Sequence, residues 1–142
     1  MRWLVSPLLG IAASVAAWKC GDYDQTRLWS LGASLASVSG VVFGFMLTAL
    51  AMIVTMPERQ LTANMRKTGH HHQLLVALFR AAALHFVTLA FALSAAFLTG
   101  NPLRISVMFA IGLEVISLIE TINAGHKLWL VLDVLGRPDS KS

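Results

Sequence analysis

Four stretches of the chain are apolar for longer than a soluble core helix requires, and short polar connections separate them. The first runs from about Trp3 to Trp18, with Pro7 near its start. That is short against the ~20 residues a membrane span takes. Arg2, the apolar run and the small residues Ala13, Ser14, Ala16 and Ala17 also describe a signal peptide; we read the segment as a short transmembrane helix. Lys19 to Arg27 is polar, with two acids and two bases. The second segment, Leu28 to Met56, is closed by Pro57, which cannot continue a helix without losing a backbone hydrogen bond. As a helix it is ~43 Å long against a hydrocarbon core of ~30 Å, so it must tilt or project into the headgroups.

The third segment covers Leu74 to Leu98. Gly100, Asn101 and Pro102 then predict a tight turn, which makes segments three and four an antiparallel hairpin. The fourth runs from about Leu103 to Leu135, longer than a span, so His126 to Leu135 should leave the core and lie at the interface. The pattern predicts an all-α, multi-pass membrane protein with four transmembrane helices, at about 3–18, 28–56, 74–98 and 103–135. Residues 1–142 form a single transmembrane domain.

Composition agrees with the pattern. Of 142 residues, 56% are hydrophobic and 13% charged, and the mean hydropathy is +0.70. A soluble domain carries about a quarter of its residues as Asp, Glu, Lys or Arg; half that charge does not cover the surface of so small a globule. Soluble enzymes, disordered tails and disulfide scaffolds are excluded. Cys20 is the single cysteine and has no partner for an internal disulfide. The net charge of +4 reads as Lys and Arg collecting in cytoplasmic segments, not as a nucleic-acid surface.

That bias sets an orientation. Arg59, Arg66 and Lys67 lie in the second connection, Arg80 just inside the next helix, and Lys127, Arg137 and Lys141 on the same side. Opposite them, Lys19 and Arg27 are offset by Asp22 and Asp24, with Arg104 besides. Both termini are therefore expected in the cytoplasm. Trp18 and Trp29 should mark the outer headgroup layer, Trp3 and Trp129 the inner one.

Two signals stand out within the helices. Gly32, Ala36, Gly40, Gly44 and Thr48 recur every four residues on the second. Such small ridges let helix backbones approach closely in lipid. The ridge reads either as packing inside one subunit or as an oligomer interface or pore-lining face, with Gly40 and Gly44 as the closest contact in both cases. The other signal is ionisable residues at depth, which are costly in hydrocarbon. Counted inward from Gly100, His85 and Glu114 fall together near mid-membrane, and Arg80 and Glu120 together near the cytoplasmic boundary. Glu114 and Glu120 stand about 240° apart round their helix and Arg80 and His85 about 140°. Both pairs are therefore not expected across one hairpin interface; one group should look to another helix, another subunit or water. His85 and Glu114 form either a polar clamp or the lining of a hydrated path. Glu120, Asn123 and Lys127 share a face.

His70, His71 and His72 invite a zinc reading, but consecutive histidines do not converge on one ion, and no Cys, Asp or Glu lies close by apart from Glu58. No metal or other cofactor is expected. No nucleophile–base arrangement or phosphate loop is present, so the chain is not read as an enzyme.

Leu35-x-Ser37-x-x-Gly40, a long apolar helix containing Ala49-Leu50, a short basic connection and a third helix together resemble the RexB family of prophage-exclusion membrane proteins. The resemblance covers roughly Leu28 to Leu98 and extends to small membrane effectors of anti-phage systems. It implies a bacterial inner-membrane effector that opens an ion-conducting pore and depolarises the cell when an infection sensor releases it. His85 and Glu114 have no counterpart in that pattern.

Four helices per subunit are too few to enclose a pore, so conduction requires a homo-oligomer. The expected partners are the lipid bilayer, further copies of the chain, and a cytosolic sensor at residues 58–73 and the C-terminus; direct nucleic-acid binding is not expected. Two other readings stay open. One is a non-conducting anchor or scaffold that recruits a cytosolic protein. The other is an ion-coupled transporter subunit using His85 and Glu114, for which inverted repeats are lacking.

Overall fold

A computed structural model describes the backbone of residues 2–20, 23–55 and 70–136, and the side chains of 6–19, 23–55 and 72–130 within them. The basic connection at 58–69, Pro57, Arg137, Lys141 and the Trp3 side chain lie outside the described residues. The described chain is helical throughout: α1 (Arg2–Cys20), α2 (Gln25–Thr55), α3 (His70–Ser94) and α4 (Gly100–Gly136), with a 3-10 turn at Ala95–Phe97. Three stretches are long and apolar enough to cross a membrane: Gln25–Thr55, His72–Phe97 and Gly100–Leu130. Each keeps its backbone polar groups bonded within itself, as lipid demands. The hydroxyls follow suit: Ser14, Ser34, Ser37, Thr48, Thr55, Thr88 and Ser117 each donate to the carbonyl four residues back.

Helix boundaries move at three places. α2 begins at Gln25, not Leu28, because Asp24 caps it: its Oδ1 accepts from the Gln25 N–H at 2.8 Å and its carbonyl from Leu28 at 3.2 Å. α3 begins at His70, so the histidine triplet forms its first turn and not a connection. The predicted Gly100-Asn101-Pro102 turn is displaced: those three residues open α4, which starts at Gly100 and not near Leu103. Only Leu98 and Thr99 separate the 3-10 turn from α4, and Gly100 takes φ +64°, a left-handed value that glycine reaches without a Cβ penalty. Pro102 then sits in the first turn of α4, where its missing N–H breaks no helical bond.

α3 lies between α2 and α4 and packs along both, while α1 packs along α4. α1 and α4 are antiparallel: Gly10 faces Gly112 and Ile116, and Trp18 meets Arg104 nearer the Gly100 end. Small residues close these seams. Ala81, Ala82, Ala92, Ala95, Ala110 and Ala124 are all buried. A Cβ on Gly10 would stand 2.6 Å from Ile116 Cγ1 and 2.7 Å from the Gly112 carbonyl oxygen. Glycine at both crossing positions lets α1 reach α4.

The core has two apolar clusters. Leu28, Ala95, Leu103, Val107 and Met108 fill the Gly100 end. Met46, Leu74, Leu78, Ala81, Ala82 and Ala124 fill the other. Between them lies a layer that is not apolar.

Candidate functional site

Ser39, His85, Thr88, Glu114 and Ser117 are buried together in that layer. Matched depth explains the meeting of α2 and α4: Ser39 is fourteen residues into α2 and Glu114 fourteen into α4, counted from helix starts at the same end. His85 reaches the same level from α3.

The geometry is a short chain of polar atoms. Ser39 Oγ donates to Glu114 Oε2 at 2.6 Å. The same carboxylate oxygen lies 3.6 Å from His85 Nδ1. The other ring nitrogen, Nε2, is 3.0 Å from Thr121 Oγ1. Ser117 Oγ donates to the Leu113 and Glu114 carbonyls at 2.9 and 3.0 Å, and Thr88 to the Leu84 carbonyl at 3.0 Å. Two polar atoms in the layer make no hydrogen bond among the described residues: His85 Nδ1 and Glu114 Oε1. His85 is 0% exposed and Glu114 6%. An ionisable pair so deeply buried in a helical bundle is costly unless its members pair and hydrogen-bond.

Depth counting from the sequence brings the right groups together, but one inference drawn from it is corrected. Arg80 and Glu120 also pair, at 3.3 Å, on the same hairpin as His85 and Glu114. Offsets of ~140° and ~240° are compatible with both pairs on one hairpin. Both helices are right-handed, so descending from the turn both rotate in one sense. Five residues on α3 carry a group ~140° one way; six on α4 carry it ~240°, equivalent to ~120° the other way. Arg80 and Glu120 therefore swing to one flank of the hairpin, while His85 and Glu114 face inward toward Ser39 of α2. The arginine side chain is 42% exposed and bridges the remaining gap along that flank. Asn123 and Lys127 are exposed.

The small-residue ridge divides. Gly32 is buried, where a Cβ would meet Ala95 Cβ at 2.9 Å. Ala36 is half-buried in a groove of about 420 Å³ lined also by Trp29, Ala33, Ala92 and Ala96. Gly40 is half-buried, and a Cβ there would make ordinary contact with Leu89 Cδ1 at 3.9 Å. Gly44 is exposed and a Cβ on it would meet nothing within 4 Å; Thr48 is exposed as well. Within the chain, the closest approach is therefore not at Gly40 and Gly44 but at Gly10, Gly112 and Gly32. Phe43 of α2 meets Phe86 of α3 at this level with ring centroids 5.5 Å apart, and rings of that size hold the two backbones apart.

Trp18, Trp29 and Arg104 make their contacts near the Gly100 end of the bundle. Arg104 lies over the Trp18 ring, 4.6 Å from its centroid, and donates to the Trp18 carbonyl at 3.1 Å. Trp29 Nε1 donates to the Leu98 carbonyl at 3.3 Å. Among the described residues no group of three or more His, Cys, Asp or Glu is placed to hold a metal ion.

Sequence reasoning missed Ser39, Thr121 and the Gly10–Gly112 crossing. Equal depth on α2 and α4 was the available signal for Ser39. For the crossing it was a glycine in the interior of each of two helices, where glycine costs roughly 0.5–1 kcal/mol relative to alanine. No family model, no curated protein and no solved structure matches the chain.

Proposed function

We propose that the chain is a four-span inner-membrane protein with both termini in the cytoplasm, and that it assembles into a homo-oligomeric, ion-conducting effector. α1 would supply the fourth span, its 19 residues lying antiparallel against α4. The single observation that carries the reading is the open half of the α2 ridge. Gly44 and Thr48 are exposed, and a Cβ on Gly44 would meet nothing within 4 Å among the described residues; Gly125 of α4 is open in the same way, but Gly44 and Thr48 continue a small-residue ridge whose other end, Gly32, is packed internally. A surface that admits a second backbone at this depth suits subunit association in lipid. Val41 and Phe45 flank it at 75% and 65% exposure and give the neighbouring subunit apolar side chains to pack on.

In this reading the His85–Glu114 layer is not the permeation path. It ties α2 to the α3–α4 hairpin, so that α2 is presented to its neighbours at one fixed rotation. The resemblance to RexB-like effectors supplies the setting, depolarisation of a phage-infected cell, with residues 58–73 and the C-terminus meeting the sensor.

The test is mass determination of the purified protein in lipid nanodiscs, followed by planar-bilayer recording. We expect a defined oligomer and voltage-driven currents. A monomer without conductance would replace this reading with the scaffold, in which the same helices anchor a cytosolic partner.

A further inference from the structure

We propose that Glu114 and His85 form a buried one-proton binding site that exchanges its proton through Thr121 with the Arg80–Glu120 end of the bundle, and whose occupancy sets how firmly Ser39 holds α2.

The two atoms without a hydrogen bond carry the argument. A buried nitrogen or carboxylate oxygen left without a partner costs about 1–3 kcal/mol, more when charged. Here two such atoms belong to facing ionisable groups, His85 Nδ1 and Glu114 Oε1, both on side chains more than nine-tenths buried. Nδ1 and Oε2 are 3.6 Å apart, and a shift of under 1 Å brings them to charge-assisted hydrogen-bond distance. A proton is the ligand that fits this spacing. The ionisable groups around the pair are few. α1 between Arg2 and Lys19 has none, α2 beyond Arg27 has none, α3 adds Arg80 and, in its first turn, His70, His71 and His72, and α4 adds Glu120 and, near its ends, Arg104, His126, Lys127 and Asp133.

The exchange step balances. In the empty site the carboxylate accepts from Ser39, neutral His85 carries its proton on Nδ1, and Nε2 accepts from the Thr121 hydroxyl. A proton arriving at the Thr121 oxygen displaces the hydroxyl's own proton onto Nε2. The Nδ1 proton then passes to Glu114 Oε2. Thr121 and the imidazole end with as many protons as they began with, and the carboxyl has gained one. Loading neutralises the acceptor of the Ser39 bond, and charge-assisted hydrogen bonds are roughly twice as strong as neutral ones. The link between α2 and α4 is therefore tighter when the site is empty.

One end of the bundle is open to this relay and the other is not. Thr121 is half-buried and adjoins Glu120, whose side chain is 18% exposed and paired with Arg80. Toward Gly100 the seam continues through Ala92, Ala110, Val107 and Leu103, all buried and apolar. The hydroxyls of that seam are engaged locally: Thr88 donates to the Leu84 carbonyl, and Ser94 and Ser106, the latter between Leu103 and Val107, bond to each other and to the Phe91 carbonyl.

The site is independent of the pore reading and is tested apart from it. A hydrophobic carbodiimide reacts with a carboxyl only when it is protonated, and peptide mass mapping locates the adduct. The full chain would be labelled in inside-out and right-side-out membrane vesicles, in the Gly44→Leu background as well as in wild type, so that conduction cannot collapse the imposed pH difference. We expect Glu114 to be labelled in both. The rate should fall about tenfold per pH unit above its midpoint, the slope of one titrating proton, when pH is raised on the Arg80–Glu120 side only. Ser39→Ala should raise the rate at a given pH, and Glu114→Gln should abolish the adduct. No adduct at Glu114 at any pH in protein with an unaltered melting temperature would overturn the proposal. So would a rate that follows the pH of the Gly100 side.

Discussion

At the scale of single residues, the two ion pairs of the hairpin are chemically alike and energetically unlike. His85 and Glu114 are shut in with hydroxyls on either side, so removing one member leaves the other without a partner in a dry site. Truncating half of a buried pair costs roughly 3–5 kcal/mol. We therefore expect His85→Gln and Glu114→Gln each to lower thermal stability in detergent, and the double variant to be milder than the sum by about 0.5–3 kcal/mol. Strictly additive losses would mean the two groups do not act as a pair. Arg80, 42% exposed, belongs to the other class. Arg80→Gln should cost under ~1 kcal/mol, read from the same melts. Counting residues from Gly100 was enough to find all four ionisable groups, because depth in a helix is linear in residue number. It did not find Ser39 or Thr121. Hydroxyls are ordinary in membrane helices, and most of those described here bond back to their own carbonyls; only the position of a carboxylate singles Ser39 out.

At the scale of the elements, periodicity fixes which segments are helical, and small residues decide which helices touch. The longest regular ridge is on α2, yet of its glycines only Gly32 is in tight contact inside the chain. Lone glycines did more: Gly10 and Gly112 bring α1 onto α4. A ridge announces itself by repetition, whereas a crossing point is one residue per helix and becomes visible only once two helices are aligned. The difference makes a sharp comparison. Gly10→Ala and Gly112→Ala each place a Cβ within 3.0 Å of the partner backbone, and should destabilise by about 1–3 kcal/mol, the cost of overpacking. Gly44→Ala meets nothing and should leave the melting temperature unchanged or raise it slightly, since alanine is the better helix former. Equal losses at all three positions would refute the packing described for α1.

At the scale of the whole molecule, the proposed orientation rests on charge and the proposed assembly on the exposed part of the α2 ridge. The Lys/Arg bias predicts that the polar connection between α1 and α2 is periplasmic. Cys20, at the end of α1, should accordingly react with a membrane-impermeant thiol reagent in intact spheroplasts. Protection there, with reaction only after lysis, would reverse the topology. The class of the fold was legible because composition and hydropathy act over the full chain. The small-residue pattern does not by itself specify an assembly, since a ridge that joins helices within a subunit can equally join subunits. Only the arrangement of α1 to α4 separates the internal part of the ridge, at Gly32, from the outward part at Gly44 and Thr48.

That separation allows the most direct test of the account: ion flux from liposomes carrying either wild-type protein or Gly44→Leu. A Cβ at Gly44 would meet no described residue within 4 Å, so the substitution builds outward from the exposed face. We predict flux from the wild type, and a Gly44→Leu variant that melts at the wild-type temperature but is silent and smaller in mass. Equal flux from both, or none from the wild type, would contradict a pore assembled through α2.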